Sequence, residues 1–237
     1  MERPARKATP CAPAFLPYNM TMLLIYKEKG LSSFAVVQRV RKITGVRKVG
    51  HAGTLDPMAE GLLIVLVGKD ETKTAQKFSG LDKEYEAVAR LGVSTDTGDL
   101  EGEVVSEKDC SSLSDNTIKS ALLSLKGEHR WEVPRFSAIK VKGRALYKYA
   151  RANEEVDLPK KNMHIYKIEL ISITRTQTHI DIKYRAEVSS GTYIRTISEK
   201  LGKLLSCPAS TTYILRTKIG KYDLQDAQKL DNLEKHE

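Results

Sequence analysis

A continuous apolar run at residues 62–67 is the feature that most constrains how this chain can fold. The run Leu-Leu-Ile-Val-Leu-Val has the length of a strand and contains no polar residue, which is typical of a strand buried on both faces. It is far too short to cross a membrane. The run therefore predicts a layered domain with a sheet at its centre, and we expect no membrane partner.

The segment just before this run holds one carboxylate in a restricted backbone. Residues 50–57 read Gly-His-Ala-Gly-Thr-Leu-Asp-Pro. Gly50 and Gly53 can adopt conformations that other residues resist, and Pro57 pushes Asp56 towards an extended conformation. A reactive carboxylate on a stiff loop would fit this pattern. Taken alone, however, the segment favours an ordinary turn, because Asp-Pro favours turn initiation.

Patterns elsewhere in the chain predict an α+β fold. Alternation over residues 84–92 places Tyr85 on an apolar face, and the alternating segments 163–173 and 179–188 predict a hairpin. Helical patterns cover residues 34–43, 71–78, 114–125, 144–151 and 193–205. Residues 44–53, 94–102 and 131–143 read as loops, and residues 213–215 read as a short last strand. Because strands and helices mix without a strict βαβ rhythm, we expect a mixed, largely antiparallel sheet flanked by helices.

Net charge and cysteine content bear on the partner and the compartment. The formal net charge of +9 favours a polyanionic partner, with nucleic acid ahead of an anionic membrane surface. Cys11, Cys110 and Cys207 are odd in number, widely spaced and without a Cys-x-x-Cys motif. This pattern argues against a disulfide framework and a zinc knuckle, so we expect a cytoplasmic, reducing location.

The usual cofactor and metal motifs are missing from the sequence. Neither Gly-x-Gly-x-x-Gly nor the phosphate-binding Gly-x-x-x-x-Gly-Lys-Ser/Thr motif occurs. Asp96, Asp99, Glu101 and Glu103 crowd one loop, but their spacing is not that of an EF-hand, and a solvated loop with Asx turns is the simpler interpretation. The five histidines form no ligand pair at helical spacing. We therefore expect neither a cofactor nor a metal.

Two residues and one segment have both a structural and a functional interpretation. Tyr85 is by default a core tyrosine, and Arg195 is by default a surface arginine. A cation near a helix start is nevertheless unfavourable with the helix dipole, which suggests a specific anionic partner for Arg195. An alternation of aromatic and basic residues suits nucleic-acid contacts, although a charged hairpin or loop explains it equally well. Its members are Trp131, Arg135, Phe136, Lys140, Lys142 and Arg144.

Several short blocks follow one another along the chain in a characteristic order. They are residues 29–33 (Lys-Gly-Leu-Ser-Ser), 50–57 with 61–63 (Gly-Leu-Leu), 83–85 (Lys-Glu-Tyr), 91–92 with 96–99 (Asp-Thr-Gly-Asp), 134–140 (Pro-Arg-Phe-Ser-Ala-Ile-Lys) with 143–151, 190–195 (Ser-Gly-Thr-Tyr-Ile-Arg) and 215–216 (Leu-Arg). In this set and order the chain resembles the TruB-type tRNA pseudouridine synthases. The resemblance covers about residues 22–220.

The resemblance implies a pseudouridine-synthase fold with an active cleft across the sheet. It also implies isomerisation of U55 in the TΨC loop of tRNA to pseudouridine, without cofactor or metal. Asp56 matches the family's catalytic aspartate, Tyr85 its active-site tyrosine, and Arg195 the arginine that pairs with the aspartate. The RNA-binding residues implied by the matching blocks are Lys29, His51, Arg135, Phe136, Lys140, Arg144, Tyr193 and Arg216. The implied partner is the TΨC stem-loop, and we expect a monomer.

Elementary chemistry agrees with these roles. The glycosidic bond must break, and a base inside a folded RNA loop must first be extruded into a pocket. An ionised carboxylate can act as a nucleophile or as a base, and a guanidinium partner offsets the cost of burying it. We therefore expect an ion pair between Asp56 and Arg195. Attack on the base, attack on the sugar and removal of a sugar proton all stay open for Asp56.

The resemblance also divides the chain into three parts. Residues 1–19 match nothing in the family and read as a disordered basic tail. Residues 20–225 correspond to the catalytic domain, with an RNA-binding insertion at about 131–155. Residues 226–237 read as a C-terminal tail. Many members of the family continue into a PUA-type RNA-binding domain, and we expect no full PUA domain here.

Two rival functions stay open at the level of the sequence. An RNA-binding protein that has lost catalysis would keep the basic surface, but it need not keep Asp56, Tyr85 and Arg195 together. A carboxylate-based glycosidase or nucleosidase usually needs two acidic groups, and only Glu60 lies near Asp56 in the sequence. Activity on free nucleosides would favour the second rival, and dependence on a folded stem-loop would count against it.

Overall fold

A ten-stranded mixed sheet organises the chain. The computed structural model describes residues 22–234, so the tail predicted at residues 1–19 lies outside the described residues, as do residues 235–237. The strands are β1 (Met22–Lys27), β2 (Val49–Ala52), β3 (Glu60–Val67), β4 (Lys83–Leu91), β5 (Val93–Thr95), β6 (Val104–Glu107), β7 (Gly127–Glu132), β8 (Lys140–Val141), β9 (Arg144–Ala145), β10 (Lys160–Arg175), β11 (Ile180–Val188), β12 (Ala209–Ile219), β13 (Tyr222–Asp223) and β14 (Gln228–Lys229). The helices are α1 (Ser33–Thr44), α2 (Lys69–Lys73), α3 (Ala75–Ser79), α4 (Asp115–Ser124), α5 (Leu146–Arg151), α6 (Ile194–Leu204) and α7 (Leu230–Glu234), with a 3-10 turn at Leu224–Asp226.

The main sheet joins two groups of strands at its centre. Its order is β14-β1-β3-β12-β4-β11-β10-β7, with β2 paired to β3 and β13 paired to β12. Only the β1–β14 and β3–β12 pairings are parallel within the described residues. The predicted α+β fold with a mixed, largely antiparallel sheet flanked by helices is therefore confirmed.

The two groups of strands meet where β3 pairs with β12, and we call this contact the central seam. It consists of two register pairs, Leu215 with Glu60 and Arg216 with Gly61. Gly61 has a φ of +108°, and a Cβ atom there would collide with the backbone of Arg216. Glycine is therefore required at this point of the seam.

The strand β3 is buried on both faces, as its apolar run predicts. Leu63 and Val65 pack with β1 and α1 on one side, and Ile64 and Leu66 pack with Ile219 and the short helices on the other. All four β3 residues are fully buried. In the described part of the chain no helix is long and apolar enough to span a bilayer.

Helix α1 begins and ends where its sequence predicts, and only Phe34 departs from the predicted apolar stripe. The Ser32 side chain accepts a hydrogen bond from the Ala35 backbone amide at 3.1 Å, and Gly45 ends the helix in a left-handed conformation. Val36, Val37 and Val40 face the core. Phe34, which we expected on the buried stripe, is instead 55% exposed, with the Arg41 guanidinium 5.8 Å from its ring centroid.

The strand β12 is the largest structural element that sequence patterns missed. Only residues 213–215 read as a strand, whereas β12 spans eleven residues in the middle of the sheet. The first part of the strand is not recognisable in the sequence, because Ser210 and Thr211 are polar and yet fully buried. The Ser210 hydroxyl accepts from the Thr95 amide at 3.0 Å, and the Thr211 hydroxyl bonds the Ser198 hydroxyl at 2.8 Å. The strands β2 and β7 also lie at or within segments that read as loops.

A disulfide bond joins Cys110 to Cys207, so the argument against disulfides from the cysteine count is wrong for this pair. The two residues are 97 positions apart in the sequence, with Cα atoms 6.2 Å apart. Folding brings the segment before α4 against the turn between α6 and β12, where Lys108 also bonds the Ser206 carbonyl at 2.8 Å. The bond also removes the cysteine-based argument for a reducing compartment.

Reduction of the Cys110–Cys207 bond is expected to lower the free energy of unfolding by about 2–4 kcal/mol, because a cross-link across a long loop restricts the unfolded chain. Denaturant titration with and without dithiothreitol measures the difference. A Cys110→Ser, Cys207→Ser double variant is the control and should not respond to the reductant. Equal stability of the unaltered protein in both conditions would contradict the prediction.

Candidate active site

An ion pair between Asp56 and Arg195 forms the centre of the candidate site. Arg195 Nε and Nη2 each lie 2.9 Å from Asp56 Oδ2. The arginine side chain is 3% exposed, whereas the aspartate side chain is 38% exposed. A nearly buried cation therefore fixes a carboxylate that still reaches solvent.

Arg195 is held from several sides. It is the second residue of α6, and its Nη1 and Nη2 donate to the carbonyl oxygens of Thr97 at 2.6 Å and Phe136 at 3.0 Å. A second carboxylate oxygen, Asp99 Oδ2, lies 3.8 Å from its Nε. Two carboxylates thus offset the unfavourable position of a cation near a helix start. Asp99 itself is 6% exposed, so the interpretation of its loop as fully solvated is wrong at this position.

The loop that carries Asp56 is fastened to the elements on either side of it. The Ser33 hydroxyl donates to the Leu55 carbonyl at 3.0 Å and accepts from the Leu55 amide at 2.9 Å. The Gly30 amide donates to the Pro57 carbonyl at 2.8 Å. Asp56 also begins a turn, since its carbonyl accepts from the Ala59 amide at 3.1 Å. Both interpretations of this segment therefore apply: it is a turn, and it is a stiff loop.

Arg216 lies inside the protein, beside the loop that carries Asp56. It is 1% exposed, and its Nε donates to the Leu62 carbonyl at 2.7 Å. Its Nη2 donates to the Gly53 carbonyl at 3.1 Å. These bonds tie β12 to β3 and to the Asp56 loop. Arg216 therefore positions the loop, and its assignment to RNA binding stays a prediction.

Two buried lysines beside this loop were missed by the sequence analysis. Lys27 ends β1 and Lys83 begins β4, and they are 0% and 5% exposed. Burial, followed by the nearby Arg216 guanidinium, lowers the pKa of each to about 8. The alternation of side chains along the two strands could have revealed them. It places Lys27 on the buried face of β1, and it places Lys83 on the same buried face of β4 as Tyr85. Lys29, which the resemblance selected, is exposed on the turn after β1.

A cavity of about 400 Å³ opens beside the Asp56 carboxylate. Its walls include Asp56, Tyr85, Ile139, Tyr193 and Ile214. A volume of this size is within the range of small-ligand sites, and phenol rings and branched apolar chains suit a flat base. Within residues 22–234 the Tyr85 hydroxyl has no hydrogen-bond partner, so it can serve a bound molecule. Burial raises the pKa of Tyr193, which keeps that phenol protonated at neutral pH.

Four further residues implied in RNA binding are not part of the cavity lining: His51, Arg135, Lys140 and Arg144. His51 is on β2, where burial and Arg216 lower its pKa, and its buried Nδ1 has no hydrogen-bond partner. Arg135 and Lys140 are exposed on the insertion. Arg144 is partly occupied, with its Nη1 2.7 Å from Glu154 Oε2 and its guanidinium 4.5 Å from the Tyr149 ring centroid.

Phe136 connects the insertion to the ion pair, because its carbonyl accepts from Arg195. The insertion contains the end of β7, the hairpin β8–β9 and helix α5, so it is more regular than its sequence suggests.

A second carboxylate facing the cavity, as a nucleosidase of the paired-acid type requires, is not found among the described residues. Asp99 lies against Arg195 and does not line the cavity. Glu60 accepts a hydrogen bond from the Tyr213 hydroxyl at 2.9 Å and does not line the cavity either. Across residues 22–234, no cluster of His, Cys, Asp and Glu side chains could hold a metal ion.

Comparison with known proteins points to one family. Residues 41–194 match the model for the N-terminal domain of TruB family pseudouridylate synthases. A tRNA pseudouridine synthase B from Bdellovibrio bacteriovorus is 43% identical over 213 residues, which are 90% of this chain and 68% of that protein. The protein of the same name from Desulfotalea psychrophila is 41% identical over 211 residues, covering 89% of this chain and 86% of the relative.

Solved structures have a similar fold. The chain superposes on a Cbf5-Nop10-Gar1 complex with a TM-score of 0.68 at 24% identity, and on an archaeal box H/ACA sRNP Nop10-Cbf5 complex with a TM-score of 0.66 at 22% identity. Each superposition covers 93% of this chain and 56% of the solved chain, so this chain spans little more than half of those chains. At such low identity the likeness concerns the fold alone.

Proposed function

Because this chain belongs to the TruB family of pseudouridylate synthases, we propose that it converts U55 in the TΨC loop of tRNA to pseudouridine, with Asp56 as the catalytic carboxylate. One observation carries the proposal: Arg195 holds a solvent-facing carboxylate at the wall of a cavity that also contains Tyr85. Relatives named tRNA pseudouridine synthase B support tRNA as the substrate, and so does the net charge of +9. We further propose that the chain acts as a monomer in the cytoplasm.

The reaction needs only groups that the chain itself supplies. The bond from uracil N1 to the sugar C1′ breaks, a bond from C5 to C1′ forms, and the proton of C5 leaves while N1 gains one. No atom or electron is gained overall, which is why an isomerisation of this kind proceeds without a redox partner. Asp56 supplies the carboxylate oxygen that acts as nucleophile or base, and the guanidinium of Arg195 holds that oxygen in position through two contacts of 2.9 Å.

The cavity provides a place for the extruded base. Unstacking a base from an RNA loop costs a few kcal/mol, which stacking on an aromatic ring can offset. Tyr85 presents its ring and its free hydroxyl to the cavity, so we assign it to stacking and to proton movement at C5. Tyr193 and Ile139 also line the cavity, and we assign them to the exclusion of water during the turn of the uracil.

The insertion at about 131–155 is assigned to the RNA stem-loop. Arg135 and Lys140 are exposed there, and Phe136 reaches Arg195 through its backbone carbonyl. A shift of the insertion on RNA binding would thus be transmitted to the same arginine that holds Asp56. This contact links substrate capture to the position of the catalytic carboxylate.

Pseudouridine formation in an unmodified tRNA transcript tests the proposal. We expect pseudouridine at position 55 and no product from a transcript with cytidine at that position. Free uridine is expected not to react, because the extruded base needs the folded stem-loop around it. Tight binding of the transcript without any pseudouridine would overturn the catalytic assignment and leave an RNA-binding protein, whereas turnover of free nucleosides would favour a nucleosidase.

A further inference from the structure

The cavity beside Asp56 contains a charged side chain that the reaction described above leaves unused. Lys83 lines this cavity together with Asp56 and Tyr85, and it lies on the same buried face of β4 as Tyr85. We propose that the Lys83 ammonium group is a catalytic group, which stabilises the negative charge that develops on the uracil oxygens while the base is detached from the sugar. The inference rests on the proposed function and adds one residue to its chemistry.

Lys83 is a buried cation without a carboxylate partner. It is 5% exposed, and among residues 22–234 no aspartate or glutamate forms an ion pair with it. Asp82, the preceding residue, acts on it only at longer range. Burying a charge without a partner is costly, and such a charge in a cleft is typical of a functional site.

The hydrogen bonds of Lys83 leave one donor for a bound molecule. Its Nζ donates to the carbonyls of Ser79 and Leu81, each at 2.5 Å. Its third neighbour is the Ser190 hydroxyl oxygen, which lies 3.4 Å away and also lines the cavity. An ammonium group has three donors, so the one that faces this hydroxyl can turn to a base in the cavity.

The other buried lysine, Lys27, has a purely structural environment. Its Nζ donates to three backbone carbonyls, those of Glu28, Leu31 and Pro57, and it does not line the cavity. Lys27 therefore fastens the chain on either side of the Asp56 loop. Lys83 differs because it lines the cavity and because its third neighbour is a hydroxyl group that a ligand can replace.

Lys83 also reaches the loop that carries Asp56. A Cβ atom built at Gly53 would lie 3.8 Å from Lys83 Cε. Side chains two residues apart on one face of a strand are separated by about 7 Å, which is the scale of a pyrimidine ring. A uracil stacked on the Tyr85 ring therefore has the Lys83 ammonium within reach of a carbonyl oxygen.

Every route that is open to Asp56 places negative charge on the uracil. If Asp56 attacks C6 of the base, an electron pair moves to O4. If it attacks C1′ or removes a sugar proton, the N1–C1′ bond breaks and its electron pair leaves with the uracil, where O2 and O4 share the charge. C5 then bonds to C1′ and loses its proton, and N1 gains one. Lys83 keeps its own protons, and a fixed donor at such an oxygen stabilises the transition state.

Lys83→Met is expected to slow single-turnover pseudouridine formation at saturating tRNA about 10²–10³-fold, while Kd changes little. Lys83→Arg keeps the charge and should recover a large part of the rate. Lys167→Met is the matched control, because Lys167 is exposed, pairs with Glu169 at 2.8 Å and lies outside the cavity lining; its rate should be unaltered. A loss confined to Kd would make Lys83 a phosphate-binding residue and overturn the inference.

The pH dependence of the rate gives a second readout. Burial, followed by Arg216 on β12, lowers the pKa of Lys83 to about 8, with Lys161 on β10 acting in the same direction and Asp82 opposing it. Because the ammonium loses its proton as the pH rises through about 8, the rate should fall above that pH. Lys83→Arg should lack this fall. A fall that persists in Lys83→Arg would belong to Lys27 or to the RNA and would overturn the inference.

A target base that carries negative charge more easily separates catalysis from folding. Fluorine at C5 stabilises such charge, so Lys83→Met should slow the loss of 5-fluorouridine from a transcript by a smaller factor than the loss of uridine. Mass spectrometry of the digested RNA measures both. Equal factors would indicate a structural lysine and overturn the inference. If thermal unfolding shows that Lys83→Met is not folded, the pH profiles of the unaltered protein and Lys83→Arg decide.

The inference and the proposed function fail in different ways. Full activity of a folded Lys83→Met variant overturns the inference alone, because the unaltered protein still forms pseudouridine. Absence of pseudouridine with the unaltered protein overturns the proposed function, and the catalytic role of Lys83 with it.

Discussion

Asp56→Asn is expected to reduce pseudouridine formation roughly 10⁴-fold or more, while RNA binding changes little. Asparagine has the shape of aspartate and can still accept a hydrogen bond from Arg195, but it carries no charge and is a poor nucleophile and base. The fold and the cavity should therefore persist. Single-turnover formation of pseudouridine on a tRNA transcript measures the rate, and Kd for the same transcript measures binding.

Asp70→Asn is a matched control for this substitution. The Asp70 side chain is 86% exposed and pairs with Lys73 at 2.7 Å on α2, outside the cavity lining. Its replacement should leave the rate unaltered. A rate for Asp56→Asn close to that of the unaltered protein would remove Asp56 from the chemistry.

Arg195→Met is expected to lower the free energy of unfolding by about 3 kcal/mol. It is also expected to lower the rate of pseudouridine formation about 10²–10³-fold relative to the unaltered protein. The substitution leaves the side chain of Asp99, 8% exposed, and that of Asp56 without their shared cation. It also leaves the carbonyls of Thr97 and Phe136 without a donor. Denaturant titration measures stability, and single-turnover kinetics measure the rate.

Two comparisons separate these effects. Arg185→Met removes an arginine whose side chain is 45% exposed and which pairs with Glu86 at 2.6 Å, and it should cost less than about 1 kcal/mol. If Arg195 acts through Asp56, the double variant Asp56→Asn, Arg195→Met should be no slower than Asp56→Asn alone. A full-rate Arg195→Met enzyme would contradict the role of the pair.

Sequence patterns predict the elements in which one side chain property dominates. The run of β3 is apolar throughout, and β4 alternates, so both strands were visible, as was the hairpin of β10 and β11. Patterns fail where polar side chains are buried and satisfied by partners that only the fold supplies. Ser210 and Thr211 hid β12 in this way, and the carbonyls that receive the Lys27 and Lys83 ammonium groups are equally invisible in the sequence.

The candidate site shows the same division. Asp56 and Arg195 lie 139 residues apart in the sequence. The ordered set of motifs predicts that they form a pair, whereas composition gives no indication of it. The fold adds a structural role to Arg216, which the resemblance selects for RNA binding and which also donates to the backbone carbonyls of Leu62 and Gly53. Charge alone does not distinguish an arginine that binds a ligand from one that fastens a loop.

The central seam has a consequence for how activity arises during folding. The Asp56 loop precedes β3 on one side of the seam, whereas Tyr85 and Arg195 belong to the elements on the other side, and two register pairs join β3 to β12. The cluster around Leu23, Val37 and Leu63 lies wholly on the β3 side and can form before the seam does, whereas Leu55 and Met58 of the Asp56 loop pack into the cluster of the other side. Secondary structure during refolding would therefore rise ahead of enzyme activity, which appears only when the two half-sheets dock.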